Sequence, residues 1–72
     1  MKLKLGDMVR SLERQYAFGL YATTRVDSPI TGDLYPSDVA IVVDAKRKTY
    51  QVKVLTNRAL SGWIYEKHLV KI

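Results

Sequence analysis

The chain has 72 residues, no cysteine, one histidine and a formal net charge of +5. That length allows one domain, braced by neither a disulfide framework nor a thiolate metal site, and one imidazole falls short of a nitrogen-ligated zinc site. Apolar packing must therefore carry the fold, and 47% hydrophobic residues suit a globular domain.

Leu3 and Leu5 alternate with Lys2 and Lys4, and Gly6-Asp7 turns the chain into Met8-Val9-Arg10-Ser11-Leu12. Period-two patterning and β-branched content predict a half-buried first strand there. No apolar run follows the basic start as a secretory leader requires, and no segment nears the roughly 20 apolar residues of a membrane span. A cytoplasmic protein is expected, in keeping with the absent cysteines.

From Glu13 to Asp38 the pattern loosens. Gly19, Asp27-Ser28-Pro29, Thr31-Gly32-Asp33 and Pro36-Ser37-Asp38 are turn punctuation, with Gly19–Val26 the one stretch suited to the arm of a hairpin. Leu12, Gln15, Tyr16 and Gly19 fall near one helical face, but that helix would be short and would end in glycine, so a long loop is expected. Loops of this length in small domains tend to be functional.

Val39-Ala40-Ile41-Val42-Val43 is apolar on both faces, the mark of a central strand. Asp44–Lys48 is a short polar connector to Thr49–Leu55, where Tyr50, Val52 and Val54 alternate inward against Thr49, Gln51 and Lys53 facing water. Thr56–Gly62 forms the next turn and Trp63-Ile64-Tyr65 the fourth strand. Glu66-Lys67-His68 suits one 3₁₀ turn, and Leu69–Ile72 is a last strand expected to pair with the first. With Ile64 inward, Trp63 points outward.

Five short strands, a long loop after the first and a 3₁₀ turn before the last describe an all-β, partly open small barrel spanning residues 1–72. The segment Thr49–Leu55, a turn, then Gly62-Trp63-Ile64-Tyr65-Glu66-Lys67-His68-Leu69-Val70-Lys71-Ile72 resembles the end of a Src-homology-3 (SH3) domain. Leu5-Gly6-Asp7-Met8-Val9-Arg10 is similar to the start of bacterial and translation-related small barrels. The resemblance covers the last third of the chain most closely. It implies an SH3-like five-stranded barrel, with Ile64 and Leu69 in the core, Gly62 as the glycine that closes the distal turn, and Tyr50 in place of a structural tryptophan. Peptide-contacting positions depart from the family: Thr49 stands for a tryptophan, Tyr65 for a proline and His68 for a tyrosine, and no Ala-Leu-Tyr-Asp-Tyr occurs in the first strand. Polyproline docking between aromatic ridges does not carry over.

Chemistry is sparse. No cysteine can act as nucleophile, no serine is placed near His68 with a third orienting group, and Asp27, Asp33 and Asp38 sit among Pro, Gly and Ser as turn formers do. No phosphate loop, dinucleotide fingerprint or metal motif occurs, so neither catalysis nor a cofactor is expected. Aromatics are the stronger signal. Tyr16, Phe18, Tyr21 and Tyr35 in the long loop, with Trp63, Tyr65 and His68, exceed what so small a barrel can bury, and Tyr and Trp are common interface anchors. They predict a non-enzymatic protein-interaction module, a small regulatory or accessory protein of bacterial or phage type. The alternative is a basic barrel binding RNA or DNA through Lys46, Arg47, Lys48, Lys53 and Arg58. Exposed sheet edges also admit a homo-oligomer.

Overall fold

A computed structural model describes all residues, 1–72. The chain is all-β, with strands β1 (Met8–Ser11), β2 (Phe18–Tyr21), β3 (Ile30–Leu34), β4 (Val39–Lys46), β5 (Gln51–Thr56), β6 (Ser61–Tyr65) and β7 (Leu69–Lys71), and 3₁₀ turns at Arg47–Thr49 and Glu66–His68. The seven strands form one antiparallel sheet in the order β3-β2-β6-β5-β4-β1-β7. As expected, the last strand pairs with the first, Val9 opposite Lys71 and Ser11 opposite Leu69.

Seven strands replace the expected five because the long loop contains a hairpin of its own. Its first arm is Phe18–Tyr21, shorter than the predicted Gly19–Val26. Beyond Tyr21 the chain turns back, with the Thr23 N–H donating to Ser28 Oγ at 2.7 Å and the Ala22 N–H to the Pro29 carbonyl at 2.9 Å.

Nine side chains, Leu3, Val9, Leu20, Leu34, Ala40, Val42, Val52, Val54 and Ile64, make the core. Leu34 comes from the outermost strand at one edge and Val9 from the strand next to the other edge. Five inter-strand steps of about 4.8 Å would hold them roughly 24 Å apart on a flat sheet. Membership in one cluster means that the sheet coils around it. Each fully buried Val or Leu contributes about 1.5–3 kcal/mol. Leu69, expected in the core, packs against it while partly exposed.

Three details of the predicted alternation are corrected. Tyr50 was expected to point inward but is 62% exposed. It closes the Arg47–Thr49 turn in the left-handed conformation, φ 55°, so the strand starts at Gln51, two residues later than the pattern implies. Gln51, expected in water, is only 5% exposed. Leu5 is exposed, since the Asp7 N–H bonds back to the Lys4 carbonyl and Gly6, at φ 89°, turns the chain there.

Gly62 is also corrected. Its φ is not positive, and the turn does not depend on it. What needs glycine is the close crossing of β2 over β6: a Cβ at Gly62 would lie 2.7 Å from Leu20 Cβ and 3.0 Å from the Tyr21 carbonyl oxygen.

Candidate functional site

The Leu12–Ala17 loop is shaped by Glu13. Its Oε1 accepts the backbone N–H groups of Arg14 and Gln15 at 2.9 and 3.1 Å, while Ser11 Oγ accepts that of Glu13 itself. Those backbone donors hold the Glu13 carboxyl below its ordinary pKa. Hydrogen bonding to Glu13, and then its charge, raise the Tyr16 phenol above its own. A carboxylate chelating successive amides is a local turn, and here it sets down Tyr16 beside β2.

From Tyr16 a chain of rings crosses to the second 3₁₀ turn. Tyr16 meets Phe18 edge-on, centroids 5.5 Å apart. Phe18 stacks on His68 at 4.2 Å with 23° between planes, and His68 meets Tyr65 edge-on at 6.2 Å. These separations are those of attractive aromatic pairs. Burial first, then the neighbouring Lys67 charge, push the His68 pKa below its ordinary 6.5, so the stacked imidazole is neutral at pH 7. The Leu12 N–H donates to the His68 carbonyl at 2.8 Å and ties the loop to the turn. Phe18 packs on the core beneath, while Tyr16 and Tyr65 stay exposed.

Next to these rings lies a cleft of about 170 Å³ lined by Phe18, Gly19, Tyr21, Gln51, Ile64, Tyr65 and His68. Of the seven residues singled out from sequence, four share the ring chain and Tyr21 joins them at the cleft. Trp63 stands one register step away, half-buried on β6 between Tyr21 of β2 and Lys53 of β5. Tyr35 belongs elsewhere. It lies on the β3–β4 turn, with the Arg58 guanidinium 4.6 Å from its ring centre.

The basic residues do not gather comparably. Arg58 Nη2 donates to Asp38 Oδ2 at 2.8 Å and to the Asp33 carbonyl at 2.7 Å, and its Nε reaches both Asp38 oxygens. Asp38 is 4% exposed and also accepts the Tyr35 N–H at 2.9 Å, the turn-forming role read from sequence. Arg58 is thus the clasp between two turns and not a free phosphate contact. Lys46 Nζ donates to Thr24 Oγ1 at 3.3 Å, and Lys53 is half-buried beside Trp63. Arg47 and Lys48 are exposed at the first 3₁₀ turn.

Two residues at this site escaped the sequence reading. Gln51 sits in an alternating strand, where nothing local marks it as covered. Its Oε1 is buried without a hydrogen-bond partner. Glu66 Oε2 accepts the backbone N–H groups of Lys2 and Leu3 at 3.0 and 2.8 Å, a contact across nearly the whole sequence that no local pattern announces. No three His, Cys, Asp or Glu side chains converge as a metal site would need, and no helix is long and apolar enough to cross a membrane. No family model, curated protein or solved structure matches the chain.

Proposed function

We propose that this protein is a non-enzymatic interaction module built as an SH3-like barrel, and that it binds another protein through the Tyr16–Phe18–His68–Tyr65 surface and the adjoining cleft. Support for the SH3-like reading comes from the order β6-β5-β4-β1-β7, five strands with a 3₁₀ turn between β6 and β7 and the β2–β3 hairpin inserted after β1. The observation that carries the binding reading is the unbroken ring chain, which joins two distant parts of the sequence and leaves Tyr16 and Tyr65 open to solvent. Rigid amphipathic rings offer large contact area at small entropic cost.

Selection from a random-peptide display library, followed by amide chemical-shift mapping, tests this. Selected peptides should perturb residues 16–21 and 64–68, and Tyr65→Ala should weaken them about tenfold or more. Peptides that map elsewhere and ignore Tyr65→Ala would defeat the reading. Binding to random nucleic acid that falls steeply with salt would favour the alternative through Lys46, Arg47, Lys48 and Lys53, which has lost Arg58 to Asp38.

A further inference from the structure

Gln51 Oε1 is the one buried side-chain polar atom of the fold with no hydrogen-bond partner. The residue is 5% exposed, its Oε1 has no partner, and it lines the aromatic cleft. Buried side-chain acceptors are almost always satisfied, and leaving one bare costs free energy that an apolar side chain of like shape would not. A group of this kind at a cleft is unfinished until a donor arrives.

The surroundings select the donor. No carboxylate lines the cleft, Lys67 stands 5.7 Å over the Tyr65 ring, and the chain carries net charge +5. An ammonium or guanidinium entering here would be desolvated beside like charge with no anion to meet it. A neutral N–H meets neither cost. The carboxamide also carries an N–H₂ beside its oxygen, so one side chain can answer both halves of a peptide unit. Around it, Phe18, Tyr21, Ile64 and Tyr65 offer apolar walls.

We infer that the cleft receives an extended peptide segment of a partner protein, an apolar side chain entering between the rings and parting them, so that the adjacent main-chain N–H reaches the otherwise covered Gln51 Oε1 and donates to it. This rests on the binding reading above and gives it a chemical requirement: proline, which has no N–H, is excluded at that position of the partner.

The test uses two small probes with the same branched apolar chain, isocaproic N-methylamide and methyl isocaproate, titrated by amide chemical shift into the wild-type chain and into Gln51→Met. The ester replaces the N–H by an oxygen, which faces the Gln51 acceptor unfavourably. In the wild type the amide should bind in the millimolar range and the ester about tenfold more weakly. In Gln51→Met the two should bind alike, and the variant should melt no lower than wild type, because an unsatisfied group has been removed. Equal binding of both probes to the wild type would overturn the Gln51 pairing while leaving the aromatic face as a binding surface. A failure of both probes to shift the cleft would overturn both readings. Gln51→Met melting well below wild type would make the carboxamide a structural group and end the inference.

Discussion

Replacing Gly62 by alanine asks how the β2–β3 hairpin is held against the rest of the sheet. An alanine Cβ would meet Leu20 Cβ at 2.7 Å, Thr31 Oγ1 at 2.8 Å and the Tyr21 carbonyl oxygen at 3.0 Å. None of these is the free end of a flexible side chain. Leu20 is fully buried, Tyr21 contributes backbone, and the Thr31 hydroxyl is engaged with the Ser61 carbonyl at 2.9 Å. Relief therefore requires the hairpin itself to lift. Overpacking of this kind costs about 2–3 kcal/mol, out of a total of roughly 4–11 kcal/mol for a chain of this length, and should lower the melting temperature by roughly 10–20 °C. The hairpin carries Phe18 and Tyr21, so amide shifts of His68 and Tyr65 should move in the folded fraction as well. Thermal unfolding by circular dichroism and an amide correlation spectrum read the two effects. A Gly62→Ala variant within about 0.5 kcal/mol of wild type, the range of ordinary surface substitutions, would refute the close-crossing argument. Gly6→Ala is the comparison. Nothing lies within 4 Å of its Cβ position but its φ is 89°, so it should cost about 1 kcal/mol from the backbone alone and leave the ring shifts in place.

Three further outcomes are expected. Arg58→Ala should lower the melting temperature by several degrees and change the acid limb of stability. Hydrogen bonds from Arg58 hold the Asp38 carboxyl below its ordinary 3.8, so their contribution is complete above that pH and is lost as pH falls through the lowered folded-state value. Acid unfolding should then begin at higher pH in the variant, and superimposable acid transitions would count against the clasp. His68, whose pKa is lowered chiefly by burial, contributes stability present above its ordinary 6.5 and lost as pH falls through its folded value; His68→Phe should flatten the melting temperature over that interval, and a wild-type imidazole titrating by NMR at or above 6.5 would contradict this. Glu66→Ala strands the Lys2 and Leu3 amides and should cost about 1 kcal/mol with faster hydrogen exchange at Leu3. Unchanged exchange there would show that the clamp does not hold the chain's first residues.

Legibility in the sequence followed the range of the interactions concerned. Val39–Val43, Val52, Val54, Ile64 and the 3₁₀ turn at Glu66–His68 could be read because period-two patterning and short turn signals are local. The inserted hairpin was half visible through its turn residues, but its pairing with β6 depends on Gly62 meeting Leu20, which no local pattern contains. Tyr50 was misread because a single residue of positive φ ends the turn later than alternation implies. Gln51 was misread for a different reason: Val52 and Val54 keep the predicted phase, and Gln51 is enclosed beside Phe18, Tyr21, Tyr65 and His68, neighbours distant in sequence that alternation does not register. At the candidate site, Tyr16, Phe18, Tyr65 and His68 were singled out because so small a barrel cannot bury all its rings, and the structure brings these four together. That Tyr35 and Arg58 meet at Asp38, apart from the other rings and cations, could not be read, because the Arg58–Asp38 contact joins two turns distant in sequence.

Glu66 and His68 belong to the same three-residue turn. One receives the amino end of the polypeptide and the other supplies the central ring of the exposed aromatic surface. Strain entering at the Lys2 amide has a route to that surface through Glu66, two residues from His68. Whatever is attached upstream of Met1, whether an affinity tag or a fused protein, is therefore mechanically adjacent to the rings.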